Sequence, residues 1–253
     1  MADLWSLIIL NPVLNGLIAL SGLLPEAVEF GLAIIILTVV VRLILTPLSL
    51  RQLRSTKHLQ DMQPKMQELQ KKYGKNKQKL QQETMKLYKE TGVNPIGCMW
   101  PMLVQFPIWI ALYQSIMKAL ATTPENLLDL SRHLYSWQIV SQALPLNSHF
   151  LWLDLGQPDS FFILAILVGG SMWIQQKMTT APSADPRQQS TSSTMQIMMP
   201  FMFGMFCLMF PSGLALYWLV SNVITIATQY FITGGWGYLK SPFSTQSGSR
   251  RRS

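Results

Sequence analysis

Apolar residues in this chain gather into long unbroken blocks instead of alternating with polar ones. Residues 31–41, 97–117, 161–174 and 197–232 contain no Lys, Arg, Asp or Glu, and counting both flanks of Arg42 extends the first block to 30–50. A helix in water needs a charged face, so blocks of this kind predict membrane spans. The last block is too long for one span. Phe210-Pro211-Ser212-Gly213 divides it, because Pro and Gly together form a strong turn signal. Five spans follow, over residues 30–50, 97–117, 160–176, 195–210 and 214–232. The fold class is therefore an all-α polytopic membrane protein. The third and fourth spans hold about 14 to 17 residues, roughly 21–26 Å against a hydrocarbon core of about 30 Å, which predicts local bilayer thinning.

Between the spans the pattern changes. In segment 51–94, Leu59, Met62, Met66, Leu69 and Tyr73 recur at helical spacing, and Leu80, Thr84, Leu87 and Thr91 resume it after Gly74-Lys75-Asn76. This predicts two amphipathic helices folded as a hairpin, with Pro64 kinking or interrupting the first and Asn94-Pro95 ending the second. Segment 118–159 is mixed; it predicts one short surface helix, interfacial Trp137 and Trp152, and a turn at Gly156-Gln157-Pro158. Segment 177–194, rich in Ser, Thr, Pro, Ala and Gln, reads as a flexible loop, and 233–253 as a disordered basic tail ending in Arg250-Arg251-Arg252. Residues 4–24 are apolar but interrupted by Asn11-Pro12 and Asn15-Gly16. A surface helix, a sixth span and an uncleaved signal all fit them; the acidic flank of segment 1–29 favours the surface helix.

Charge orients these elements. Hydrophobic residues make up 49% of the chain and charged ones 13%, with a net charge of +8. Segment 51–92 carries 11 basic against 4 acidic residues, and the tail carries 4 against none. With Lys177 and Arg187, one side of a five-span protein holds 17 basic residues, whereas the other holds two, Lys118 and Arg132. The positive-inside rule then places the N-terminus outside and the C-terminus in the cytoplasm.

Arg42 stands about twelve residues into an apolar span, where an Arg costs about 2.5–3.5 kcal/mol on insertion scales. Thr38, Thr46 and Ser49 fall near its face. In the last span Trp218, Ser221, Asn222, Thr225, Thr228 and Gln229 project within an arc of about 120°. Small polar residues also glue spans together, but Asn222 and Gln229 are costly enough to bury that this face points to a wet cavity. Gln175-Gln176-Lys177 closes the third span; Gln105, followed by Pro107, faces away from Gln114 in the second, and Gln105 is the preferred cavity residue. No Asp or Glu lies within a span, and His58, His133 and His149 lie outside them. Intramembrane proteolysis and carboxylate-driven ion coupling therefore lack their usual groups. Cys98 and Cys207 fall within spans and offer neither a metal spacing nor a disulfide framework.

Several stretches carry a resemblance. They are Arg42-Leu43-Ile44-Leu45-Thr46-Pro47-Leu48, Met62-Gln63-Pro64-Lys65, Leu87-Tyr88-Lys89 and Val93-Asn94-Pro95. Gln105-Phe106-Pro107-Ile108, Phe150-Leu151-Trp152-Leu153-Asp154-Leu155, Phe210-Pro211-Ser212-Gly213-Leu214 and Leu216-Tyr217-Trp218 complete the set. In this order over residues 42–230 the chain resembles the YidC family of membrane protein insertases, within the YidC/Oxa/Alb superfamily. The resemblance implies five spans around a polar groove open to the cytoplasm and lipid and closed outside. It implies a groove Arg that attracts a polar or acidic segment of an incoming chain, a position matched by Arg42. Gln176 and Trp218 match groove positions in the third and fifth spans. With the faces read above, the expected groove is Arg42, Thr38, Thr46, Gln105, Gln176, Trp218, Asn222 and Thr225. The expected capture surface on the hairpin is Pro64, Lys65, Lys71, Lys72, Lys75 and Lys77.

The implied role is a non-enzymatic insertase and folding helper in a bacterial inner membrane, with no cofactor, metal or small-molecule substrate. Its implied partners are nascent membrane proteins and lipid, with ribosomal RNA and a Sec-type translocon as further candidates. The chain departs from some relatives in having no large outer domain between its first two spans, no long basic tail and no lipoprotein cysteine near its start. The short tail argues against strong ribosome tethering. The rival readings are a channel or small-solute transporter using the same cavity, and a structural partner of a larger translocation complex. A channel would need polar residues in the outer halves of the spans, and Leu32 to Leu37 supplies none.

Overall fold

The computed structural model describes residues 2–25, 28–74, 76–91, 100–120, 123–180, 186–233 and 235–236, and these are nearly all helical. Lys75, Asn94-Pro95, Cys98 and the basic tail from residue 237 lie outside the described residues.

The chain begins with α1 (Ala2–Trp5), a π-helical turn (Ser6–Leu10) and α2 (Asn11–Ser21), which run on without a gap. Asn11-Pro12 and Asn15-Gly16 do not interrupt them as the sequence suggests. Pro12 sits in the first turn of α2, where its missing N–H is not needed. Asn15 is fully buried; its amide donates to the carbonyls of Asn11 and His133, both at 2.8 Å, and its Oδ1 accepts from the Tyr135 N–H at 2.7 Å. Leu10, Leu14, Leu17 and Ile18 are buried while Leu4, Leu7 and Ile8 are exposed. The buried side packs against α3 (Glu29–Asp61) and α6 (Trp100–Ala119), and Trp5 Nε1 donates to Gln114 Oε1 at 2.9 Å.

Helix α3 is a single run of 33 residues and passes well beyond the expected end at residue 50. Pro47 lies inside it and removes one backbone donor. The Thr46 and Ser49 hydroxyls bond back to the carbonyls of Arg42 and Leu45, at 2.8 and 3.1 Å. The hairpin is α4 (Gln63–Tyr73) with α5 (Lys77–Thr91). Its first arm differs from the sequence reading. Residues 51–61 belong to α3, the break falls at Met62, and Pro64 opens α4, so of the two outcomes expected at this proline the helix is interrupted and not kinked. Met62 is buried and its sulfur accepts from the Thr91 hydroxyl at 3.2 Å, tying the hairpin's two ends together.

Segment 118–159 is richer than one helix and a turn. It forms α7 (Pro124–Ser131), α8 (Gln138–Gln142) and an antiparallel pair, β1 (His149–Phe150) and β2 (Leu153–Asp154), with Phe150 opposite Leu153. The two-residue strands escaped the pattern because they are too short to alternate. Leu151 takes a positive φ of 57° between them.

The last three helices are α9 (Ile163–Thr179), α10 (Pro186–Phe206) and α11 (Ser212–Thr233). Helix α9 packs on both α10 and α11, and α11 packs on α3. The flexible loop expected over 177–194 is corrected here. Helix α9 reaches Thr179, and α10 starts at Pro186 and absorbs residues 186–194. Their Ser and Thr side chains can bond within the helix, as Thr194 does to the Ser190 carbonyl at 3.0 Å. The fourth helix therefore has 21 residues, although all of its first nine but Pro186 are polar. Helices α9 and α10 approach through glycines: a methyl on Gly169 would come within 3.2 Å of the Pro200 carbonyl, and one on Gly204 within 3.2 Å of the Ala165 carbonyl.

Packing is concentrated at one end of the bundle. There the starts of α3 and α11 meet the end of α6 and the β1–β2 turn. A Cβ on Gly213 would lie 3.1 Å from the Leu155 carbonyl, 3.2 Å from Ile116 and 3.3 Å from Ile34. Gly31 is needed in the same way, because any Cβ there would run into the Phe150 ring. Ser212 locks the turn by donating its hydroxyl to the Asp154 carbonyl at 2.6 Å and its N–H to the Gln157 carbonyl at 2.7 Å. Phe30, Ile34, Ile116, Leu155 and Leu214 are fully buried here, whereas Leu43 and Ile44, further along α3, are 65% and 69% exposed.

Candidate functional site

Polar side chains gather in the less tightly packed half of the bundle. Arg42 reaches inward from α3, and its Nε is buried without a hydrogen-bond partner. Among the described residues the ion pairs are Lys118 with Asp129 and, when protonated, His133 with Asp129, so no carboxylate is paired with Arg42. Tyr217 stands on α11, which packs on α3. Tyr217 is almost fully buried, and its hydroxyl oxygen accepts a hydrogen bond from Gln105 Nε2 of α6 at 2.5 Å. The bond thus joins α6 to α11. Gln114 faces elsewhere, onto Trp5.

The other candidates divide by what their polar atoms already do. Thr38, buried, donates its hydroxyl to the Ile34 carbonyl at 2.6 Å; Thr46 and Thr225 donate to the Arg42 and Ser221 carbonyls, both at 2.8 Å. Their protons stay within their own helices. Asn222 donates to Ser171 Oγ at 3.1 Å, and Thr179 donates to Gln229 Oε1 at 3.1 Å, so these groups hold α11 to α9. Gln176 donates to Met199 Sδ at 3.3 Å, while its Oε1 and the Ser221 Oγ are buried with no partner. Unpartnered buried polar atoms cost about 1–3 kcal/mol each unless water or a ligand meets them.

Trp218 stacks on Trp109 of α6 at 5.6 Å and 25°, with Phe203 edge-on at 5.4 Å and Phe210 at 6.4 Å. This aromatic layer is continuous with the packed end. Sequence reasoning missed Trp109 and Tyr217 as parts of the site. Tyr217 lies about 20° outside the polar arc of α11 at 100° per residue, so a slightly wider arc captures it. Ser171 lacked any flanking polar pattern.

On the hairpin, Pro64, Lys65, Lys71 and Lys72 are exposed, and the Lys72 and Lys79 ammonium groups lie 5.4 and 5.3 Å from the centre of the Tyr73 ring. Lys77 begins α5. Outside the bundle, the hydrogen-bonded Lys118, helped by the charge of His133 and Arg132, holds the Asp129 carboxyl below the ordinary carboxylate range. That link between α6 and α7 is present above the usual carboxylate pKa and is lost as pH falls through the lowered one.

A half-buried guanidinium whose Nε has no partner can bind and orient a polar or acidic group. Known proteins carry the same arrangement of sequence. The profile of the family described as 60Kd inner membrane protein matches residues 23–236. The chain is 41% identical over 232 residues to the membrane protein insertase YidC of Histophilus somni (strain 129Pt), covering 91% of this chain and 38% of that protein. It is 39% identical over 231 residues to the membrane protein insertase YidC of Oceanobacillus iheyensis, covering 88% of this chain and 81% of that protein. With that of Pasteurella multocida it shares 43% over 208 residues, 82% of this chain and 34% of the relative. The chain thus spans little more than a third of the length of the Histophilus and Pasteurella relatives and most of the Oceanobacillus one. The match runs through α3 to α11 and covers every candidate groove residue, and the chain belongs to the 60Kd inner membrane protein family, that of the YidC membrane protein insertases.

Proposed function

We propose that this chain is a membrane protein insertase and folding helper of a bacterial inner membrane, acting by binding and release without a covalent step. Its clients are nascent membrane proteins, and lipid is its solvent; ribosomal RNA and a Sec-type translocon are the further partners that its basic cytoplasmic elements suit. Five helices cross the bilayer: α3 up to about residue 50, α6, α9, the apolar part of α10, and α11. Two of them, Glu29–Leu50 and Ser212–Phe231, are long and apolar enough to cross a membrane by length and composition alone. The groove is lined by Arg42, Thr38, Thr46, Gln105, Gln176, Trp218, Asn222 and Thr225 and opens towards the cytoplasm and lipid. The α1–α2 segment lies at the outer surface against α3 and α6.

The observation that carries this reading is the buried, unpartnered Arg42 Nε in a span that holds no acid. A cation placed so is costly to keep and is offset by whatever polar segment arrives. A channel is disfavoured because a conducting path must be wet on both halves, and the end around Leu155, Ile34 and Ile116 is dry. The test is reconstitution: the purified chain in liposomes, given one small client, inserts it faster than empty liposomes do. Equal rates with and without the protein would remove the proposal.

Topology has its own test. In a background lacking Cys98 and Cys207, a single cysteine at His133 is labelled by an impermeant reagent added outside, and one at Asn76 only after the membrane is opened. The reverse pattern would overturn the orientation and the cytoplasmic opening of the groove together.

A further inference from the structure

We propose that the cavity between α6, α7 and residues 144–157 is a binding site for a phospholipid whose headgroup ends in a primary ammonium. This rests on the membrane placement proposed above, which puts the end of α6 at the outer surface. The cavity measures about 610 Å³, within the range of about 300–1,000 Å³ usual for small-ligand sites. Its wall is mixed: Leu120, Leu130 and Leu146 are apolar, while Asn126, Asp154 and Gln157 are polar. A Cβ on Gly156 would lie 3.4 Å from Leu120 and 3.6 Å from Asp154 Oδ1, so the apolar and acidic parts of the wall adjoin there.

Asp154 is the one charged side chain among the described residues of this wall, and none of their ion pairs includes it. Its Oδ1 accepts the Gly156 N–H at 3.1 Å, and its own carbonyl accepts the Ser212 hydroxyl at 2.6 Å, which anchors this stretch of backbone. A carboxylate has about four lone-pair sites, so one backbone N–H leaves acceptors open. A primary ammonium supplies the opposite charge and three donors. The Asn126 and Gln157 amides carry donors suited to the phosphate of the same headgroup, whereas a purely anionic lipid finds an acid here and no cation. A peptide lysine would bring the same ammonium, but the surroundings favour lipid. Met117 and Leu127, also in the wall, are 46% and 49% exposed, so part of its apolar lining is open to the outside. Trp137 and Trp152, about half exposed on the same segment, suit the depth of lipid headgroups.

The experiment gives the full-length chain in detergent phosphatidylethanolamine, phosphatidylcholine or phosphatidylglycerol with identical acyl chains, and counts bound lipid by native mass spectrometry. Wild type is expected to hold phosphatidylethanolamine about tenfold better than the other two, the scale of one hydrogen bond to a charged group, because choline has no N–H and glycerol no cation. Asp154→Asn keeps an oxygen for the Gly156 N–H and abolishes the preference. Leu146→Trp narrows the cavity without touching the acid and also lowers retention of phosphatidylethanolamine; thermal unfolding verifies that both variants fold. Lipid counting in detergent does not depend on which side of the membrane the cavity faces, whereas labelling of a cysteine at His133 does, so a failed site and a failed placement give different results. A preference that survives in Asp154→Asn, equal retention of all three lipids by wild type, or full retention in Leu146→Trp would overturn the site. So would a short lysine-bearing peptide that saturates the wild-type chain while none of the lipids binds.

Discussion

Arg42→Ala is expected to slow insertion of a client with an acidic outer tail by about tenfold, while a neutral-tailed client is affected far less. An acidic side chain entering apolar lipid meets a barrier of several kcal/mol. Two unit charges about 4 Å apart attract by roughly 1 kcal/mol in water and roughly 4 kcal/mol near a protein surface, and a wet groove lies between these limits. Each 1.4 kcal/mol is about a factor of ten in rate, so a value near the lower end of that range gives the expected slowing. The attraction is also weak enough for the segment to leave. Arg42→Lys keeps most of the rate, because a transient client needs a positive charge more than a fixed bidentate fork. Insertion rates of the paired clients in liposomes decide the matter; wild-type and Arg42→Ala rates that coincide on the acidic client would sink this mechanism.

Much of this architecture was legible because a bilayer allows few solutions. Uncharged blocks name the helices, since that signal is large compared with local propensity. Arg42 stood out for the same reason: a charge among Ile, Leu and Val is the largest local departure the sequence contains. Helix ends were less legible. Residues 51–61 continue α3, and 186–194 begin α10, because Ser, Thr, Gln and Lys continue a helix as readily as they form a loop once a neighbouring element has nucleated it. Asn15 looked like a helix break and is instead a buried tie to His133 and Tyr135, a contact over more than a hundred residues that no local window reveals. The same limit applies to the polar face of α11. Its period was readable, but not that Asn222 and Gln229 meet Ser171 and Thr179 of α9, whereas Ser221, on the same face, is buried without a partner.

Deleting residues 56–90 and bridging the gap with a short linker is expected to leave the membrane-embedded bundle folded and to lower the insertion rate by roughly tenfold, the low end of the gain that electrostatic steering gives to association. Folding survives because α4 and α5 pack chiefly on each other, with α4 touching the end of α3. The hairpin's narrow seam of Met62, Met66, Leu69, Leu80 and Leu87 is closed within itself. The core around Ile34, Ile116, Leu155 and Leu214 lies elsewhere and loses nothing. The rate falls because the exposed Lys65, Lys71 and Lys72 concentrate an acidic partner, a charged nascent chain or ribosomal RNA, at the mouth of the groove. Such long-range attraction is screened by salt, with a Debye length of about 10 Å at 0.1 M falling to about 3 Å at 1 M. The gap between wild type and deletion should therefore close as salt rises, whereas the effect of Arg42→Ala, inside the bundle, should persist. Thermal unfolding in detergent reports the first half of the prediction, and insertion rates across a salt series report the second. A bundle that unfolds on deletion would make the hairpin a structural pillar, and a rate gap that ignores salt would remove the electrostatic account of capture.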